Sequence, residues 1–389
     1  MLRKSPSTSN RAATTARARP ISRSPEPSFA GCPDGRPAHQ PPRQSDPRPT
    51  EADRAAASDA AQSWTRRLAA YRTPFPSRSR FELVVTALPF FVIFAVSWWS
   101  LAISPWLAVG LSLINAAFVI RLFVIQHDCG HGAFFESRFW NAWCGRLLGV
   151  LTLTPFDMWK QNHALHHATT GNLDHRGTGD IPTLTIAEYR ARSLAARAGY
   201  RLLRSPLILF GVIAPFNFLI WNRVPPNPLN ARRGEWKSAL GTDAAILALL
   251  GSLYLLGGIP VLVFVYLPMM VLASIAGTWL FYVQHQFEET SWEQDREWTV
   301  QDAAFHGSSY YVLPPVLTWI TANIGAHHIH HLASRIPFYR LPEVLRDHGE
   351  FREVGRITIR ESLGCARLAL WDETGRRLVS FREARKLPA

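Results

Sequence analysis

Fourteen histidines occur in the 389 residues, and eight of them occupy the repeating positions of three short motifs. The first is "HDCGH", which places His127 and His131 four residues apart. The second is "HALHH", with His163, His166 and His167. The third, "HHIHH", repeats the H-x-x-H-H pattern as His327, His330 and His331, and carries His328 as an extra ring at its first variable position. On a helix, residues i, i+3 and i+4 lie on one face, so each motif gathers its imidazoles on one stripe. Neutral imidazole suits Fe, Zn, Cu or Ni, so ligand type leaves the metal open. Eight rings exceed what one ion accepts, and two metals are implied. A single histidine pair at helical spacing is commonly a core or surface pair; three motifs close to apolar spans are a stronger signal. His285, in "FYVQHQFEE", is a ninth candidate because it emerges where an apolar stretch ends. His39, His175, His306 and His348 read as tail, loop or surface residues, with His175 and His306 as candidate partners of the ligand rings.

The elements that must position these rings are membrane helices. Four stretches are long, apolar and poor in charge: Leu83 to Ile103, Trp106 to Gln126, Ala239 to Gly257 and Pro260 to Val283. About 20 residues at roughly 1.5 Å each cross a hydrocarbon core. Only two residues separate the members of each pair, so each pair forms a tight hairpin. Thirteen Arg/Lys lie between Gln126 and Ala239, and both ends of the chain are basic as well. The positive-inside tendency therefore places the N-terminus, the central loop and the C-terminus in the cytoplasm, together with every histidine motif. The segment Pro206 to Trp221 is apolar but short and interrupted by Pro215 and Asn217, which predicts an interfacial or re-entrant course. Gly145 to Phe156 reads likewise as interfacial. The expected fold is an all-α polytopic membrane protein: four transmembrane helices in two hairpins, interfacial helices, and a cytoplasmic cap that carries the histidines.

Residues 1–80 hold 15 Arg/Lys against 6 Asp/Glu, so most of the formal charge of +13 sits there. Residues 1–60 have few large apolar side chains and read as a disordered basic tail. The Arg/Ser bias of the first 25 residues also fits an organellar transit peptide. Cys32, Cys129, Cys144 and Cys365 show no paired spacing and suggest thiols in a reducing compartment. No nucleic-acid partner is expected.

The motifs in context, "HDCGHGAFF", "NHALHHATTGNLDHRGTGD", "WLFYVQHQFEE" and "NIGAHHIHHLASRIPFYRL", resemble the membrane fatty-acid desaturase family, in its bacterial and plastid-type acyl-lipid branch of delta-12/omega-6-like enzymes. The resemblance runs from about Phe81 to about Leu345. It implies a desaturase domain over residues 61–350 and a cytoplasmic C-terminal tail over 351–389. It also implies two non-haem Fe ions held by His127, His131, His163, His166, His167, His285, His327, His330 and His331, with O2 as co-substrate. The family chemistry is syn removal of two hydrogens from an acyl chain, with two electrons delivered from outside. His175, His306 and the N-terminal extension depart from the family pattern without touching that ligand set. Asp128, Asp174 and Asp180 stand near the motifs, where a carboxylate can fix a ring tautomer.

No "HPGG"-type haem signature, flavin fingerprint or ferredoxin cysteine set is present, so a separate donor is expected, ferredoxin first and cytochrome b5 as the alternative. The acyl lipid substrate enters from the bilayer. The expected location is a bacterial inner membrane, or an organellar membrane if the tail is a transit peptide. Two further readings stand beside the desaturase. One is a di-iron hydroxylase or ketolase acting on a lipid, alkane or carotenoid. The other is a non-enzymatic haem- or metal-binding membrane protein such as a transporter, whose ligands belong near the bilayer midplane rather than at span ends.

Overall fold

Two prolines open the first hairpin. In a computed structural model, which describes Trp64, residues 66–177 and residues 179–388, helix α1 (Pro76–Trp99) and helix α2 (Pro105–His131) each begin on a proline. In the first turn of a helix the missing N–H costs nothing. The expected tail over residues 1–60, with Cys32 and His39, lies outside the described residues. Helix α2 stops at Gly132, which adopts φ 66°. The Gly132 N–H reaches the Cys129 carbonyl at 3.1 Å, and the Ala133 N–H reaches that of Asp128 at 2.9 Å. A residue with a Cβ is strained in that left-handed conformation, and the cap ends the helix one residue after His131.

Helices α3 (Arg138–Leu151) and α4 (Phe156–Thr169) follow. Gly145 and Gly149 let them approach closely: a Cβ on Gly145 would stand 2.2 Å from the Phe156 ring, and one on Gly149 would stand 2.4 Å from the Thr154 carbonyl. The other face of α3 exposes Phe139, Trp140, Trp143 and Leu147. An aromatic stripe of this kind suits a helix lying at a membrane interface.

Helix α5 (Leu194–Leu203) leads into the helical segment Pro206–Arg223, then into α6 (Arg233–Pro260) and α7 (Leu267–His285). The two spans expected at 239–257 and 260–283 belong to one helical run, Arg233–His285, which is broken at Gly258 (φ 67°, ψ −170°). Among the described residues, four helical segments are long and apolar enough to cross a membrane: Pro76–Ala102, Pro105–His131, Pro206–Arg223 and Arg233–His285. The third was expected, over Pro206 to Trp221, to be interfacial or re-entrant. Its start is tied by Arg204 to Gln286, the residue after His285, at 2.8 Å. Its end is tied by Asn222 to Thr154 at 3.4 Å, and Thr152 in the same loop donates to Gln126, next to His127. Both ends therefore join residues at the histidine end of the bundle. Leu88, Phe91 and Val92 on α1 and Leu247, Leu255 and Leu256 on α6 are exposed, an apolar surface that lipid would cover.

One ion pair lies within the apolar bundle. Arg121 on α2 and Glu82 on α1 are both buried and bonded to each other. Arg121 also donates to Thr86 and to the Trp319 carbonyl of α8 (Pro315–Ile320), and its guanidinium lies 4.0 Å from the Trp319 ring centroid. A charge so placed stays ionised only with partners of this kind.

The chain then forms α9 (His327–Leu332) and α10 (Leu341–Asp347). Five short strands are present among the described residues: β1 (Leu184–Thr185), β2 (Tyr310–Val312), β3 (Arg356–Thr358), β4 (Leu368–Asp372) and β5 (Arg377–Ser380). β1, β4 and β5 form one sheet, and β2 and β3 pair in parallel. The segment expected as a tail over 351–389 is thus integrated with the body across its described residues. Phe351, Leu370, Leu378 and Val379 are fully buried, and Ala369 to Asp372 in β4 are buried in succession, as in a strand covered on both faces. Arg204 clamps this region, donating to the carbonyls of Pro182 (3.0 Å) and Leu368 (2.8 Å).

Candidate metal centre

The nine candidate rings meet in two adjoining groups. His127, His131, His163, His167 and His330 form one, and His166, His285, His327 and His331 form the other. Within each group the ligand nitrogens all lie within 4.8 Å of one another. Helix α2 supplies two rings to the group of five, and α7 supplies His285 to the group of four. Helices α4 and α9 each supply both groups.

That division follows from helical rotation. Residues i and i+4 differ by about 40° around the axis, whereas i+3 and i+4 differ by about 100°. Accordingly His163 and His167 share one group while His166 faces the other, and His327 and His331 share one group while His330 faces the other. The single stripe expected for each H-x-x-H-H motif is therefore split.

The Nε2 atoms converge. His163 Nε2 lies 3.0 Å from that of His131 and 3.1 Å from that of His167, and His330 Nε2 lies 3.1 Å from His167 Nε2. In the group of four, His327 Nε2 lies 3.0 Å from His285 Nε2 and 3.1 Å from His331 Nε2. The protons are directed outward where partners exist. His285 Nδ1–H donates to the Gly307 carbonyl at 3.1 Å, and His166 Nδ1–H donates to Asp180 Oδ1 at 2.8 Å. Their Nε2 atoms thus bear lone pairs, and facing lone pairs repel unless a cation lies between them. Two nitrogens at roughly 2.1 Å from one ion and at right angles are about 3.0 Å apart, so these separations fit shared metal ions. Burial and neighbouring rings hold His163, His167, His327, His330 and His331 well below the usual imidazole range. These five rings are neutral at physiological pH, the form that binds metal.

The walls are largely apolar. The Trp159 ring stacks on His163 at 4.7 Å and 13°, one turn earlier on the same stripe of α4. Phe281 lies 5.2 Å from His166 and 5.1 Å from His285. The i, i+4 spacing of Trp159 and His163 was available in the sequence as a signal. The Gly307 carbonyl had no such signal, because its role depends on a contact with His285 from 22 residues away.

The three carboxylates separate. Asp180 holds His166, helped by Gly179 at φ +75°, where a Cβ would stand 3.2 Å from that of His166. Asp128 accepts the Phe338 N–H at 2.7 Å and stands 3.5 Å from His127 Nδ1, tying the first motif to the chain that follows the third. Asp174 does not reach the rings; it accepts the Asp295 N–H at 2.9 Å, ordering a loop instead. His175 is exposed and pairs with Asp295 at 3.0 Å. His306 belongs to neither group, and its carbonyl accepts the Ser291 N–H. His328 is buried but turned away, its Nε2–H donating to the Phe351 carbonyl at 2.9 Å. Cys129 also belongs to neither group, and the described cysteines, Cys129, Cys144 and Cys365, are free thiols.

Residues 104–362 match the family model described as fatty acid desaturase. A fatty acid desaturase of Bacillus subtilis (strain 168) is 41% identical over 324 residues, 83% of this chain and 92% of that protein. An sn-1 acyl-lipid omega-3 desaturase (ferredoxin) of Synechocystis is 29% identical over 242 residues, covering 59% of this chain and 64% of its own. An sn-1 oleoyl-lipid 12-desaturase of Synechocystis is 25% identical over 269 residues, covering 69% and 72%. With the family match extending over more than half of its length, and a relative this similar across most of both chains, the protein belongs to the fatty acid desaturase family and is an enzyme of that class.

Proposed function

We propose that the two histidine groups hold two non-haem Fe ions and that the chain introduces a cis double bond into the acyl chain of a membrane lipid or acyl thioester. The observation that carries this reading is the convergence of nine imidazoles in two groups, five and four, with His127, His131 and His285 at the ends of apolar helices. The balanced reaction joins the –CH2–CH2– unit, O2, two electrons and two protons, and yields –CH=CH– and two waters. Iron held by these nitrogens would supply an oxidant for an unactivated methylene, which side chains lack. The chain's own residues do the rest. His127, His131, His163, His167 and His330 would bind one ion, and His166, His285, His327 and His331 the other. Asp180 and the Gly307 carbonyl orient His166 and His285. Trp159 and Phe281 shield the rings with apolar surface that also suits an acyl chain.

Two electrons come from an external donor in this reading. The name of the Synechocystis omega-3 relative includes ferredoxin, which supports ferredoxin as the donor, with cytochrome b5 the alternative. The bacterial relative and the basic loops support an inner-membrane location with both termini and the histidines on the cytoplasmic side. The test is expression in a host that lacks polyunsaturated lipids and supplies a donor, followed by fatty-acid analysis with double-bond localisation and iron determination. New cis double bonds and about two irons per chain are expected. Unchanged lipids with the protein present would refute the reading, and hydroxylated lipids would replace it with the hydroxylase.

A further inference from the structure

Behind the group of four lies a small cavity, about 10 Å³ measured to the centre of a water, lined in part by Asp180, His285, Trp292 and Gly307. Two of these residues carry a buried polar atom with no hydrogen-bond partner in the protein. Asp180 Oδ1 accepts from His166, but Oδ2 has no donor, and the Trp292 indole N–H has no acceptor. The Asp180 side chain is 6% exposed and Trp292 is 4% exposed. A buried acceptor and a buried donor left unpaired each lose their bonds to water without replacement, which favours a partner between them. A space of roughly 10–15 Å³ is the smallest that admits one water, and a buried water needs at least two polar partners.

We infer that this cavity binds a single structural water, which accepts from Trp292 Nε1–H and donates to Asp180 Oδ2, making Trp292 a positioning residue for Asp180 and so for His166. The chain of contacts runs from indole to water to carboxylate to imidazole, and ends on the ring whose Nε2 faces its group. Trp292 packs in an apolar cluster with Leu173, Trp371 and Leu378, the last two from the C-terminal strands β4 and β5. Trp292 lies outside the histidine motifs, seven residues after His285. Only the tertiary structure brings it to the cavity.

The inference needs the two-centre reading above only for its metal readout, so the experiment has two arms. The full chain, purified into lipid nanodiscs, is compared with the variants W292F, D180N, W292F/D180N and W371F. The first arm is a high-resolution structure of the unsubstituted protein. Water density within hydrogen-bonding distance of both Trp292 Nε1 and Asp180 Oδ2 is expected; a dry cavity, or Asp180 Oδ2 bonded to another group, overturns the inference. The second arm is Co²⁺ titration followed by visible absorption. Partners one bond beyond a ligand typically carry about 10- to 100-fold in metal affinity. W292F is expected to weaken one of the two Co²⁺ equivalents by at least about 10-fold. D180N should weaken the same equivalent, and the double variant should weaken it no further than the stronger single variant. W371F, which shrinks the same apolar cluster without touching the cavity, should titrate as the unsubstituted protein does. Wild-type titration by W292F, or equal weakening by W371F, overturns the positioning role. A protein that shows the water yet binds no Co²⁺ keeps the water site and refutes the two-centre reading instead.

Discussion

The Nε2 atoms of His330 and His167 lie 3.1 Å apart although 163 positions separate the two residues in the chain. His331, adjacent to His330, turns into the other group, where its Nε2 lies 3.1 Å from that of His327. Neighbouring rings on one short helix thus turn into different groups, and each H-x-x-H-H motif contributes to both.

The four histidines of the third motif should therefore separate in function. His328→Ala leaves the Phe351 carbonyl without its donor and should cost about 1–3 kcal/mol of stability. Its metal content should match the unsubstituted protein. His327→Ala, His330→Ala and His331→Ala should each lower it, as measured by inductively coupled plasma analysis of purified protein. Equal metal loss in all four would contradict the assignment.

The ion pair between α1 and α2 makes an asymmetric prediction. Glu82 is also held by Arg78 at 2.7 Å, whereas Arg121 has Glu82 as its carboxylate partner. Glu82→Gln leaves a buried guanidinium without counter-charge and should destabilise the protein by about 3–5 kcal/mol. Adding Arg121→Met should recover much of that loss. Unfolding midpoints in a fixed detergent would decide, and a double variant no more stable than E82Q would refute the account.

Protonation should unfold the metal-free protein from the acid side. Burial holds His328 down to about 4, and His163, His167, His327, His330 and His331 are also well below the ordinary 6.5. The unfolded chain therefore binds protons that the folded chain refuses. Stability is full above about pH 6.5 and falls as pH drops toward the folded values, by up to about 3 kcal/mol from His328 alone. Melting temperatures between pH 8 and pH 5 should decline below 6.5; a flat profile would exclude these rings as the cause.

Gly130 tests the wall behind the group of five. A Cβ there would stand 2.9 Å from the Trp159 ring, which stacks on His163. Gly130→Ala should push the indole against its ligand ring and weaken metal binding at that group while sparing the other. Co²⁺ titration should show one weakened equivalent, and two unchanged equivalents would show that Trp159 moves freely.

Much of this was legible locally. Apolar runs of sufficient length marked the helices, and the i, i+4 pairs of His127/His131, His163/His167 and His327/His331 each share a group, because a helix carries such pairs on one side. The break at Gly258 also fell where the sequence ended one span and began the next. Contacts made by residues distant in the chain were not legible. Asp128 and Asp180 reach the histidine neighbourhood while Asp174, which looked equivalent, turns to Asp295, because a loop's course depends on what it packs against. The segment after residue 350 lacks long apolar runs, and its strands form by pairing with Leu184–Thr185, with Tyr310–Val312 and with each other. By itself the sequence picked out the rings that meet and the apolar helices that carry His127, His131 and His285. The tertiary structure alone decided the five-and-four division and the outward partners Asp180 and Gly307. Helical geometry sets only relative angles along one helix, and the packing of four helices sets which rings converge.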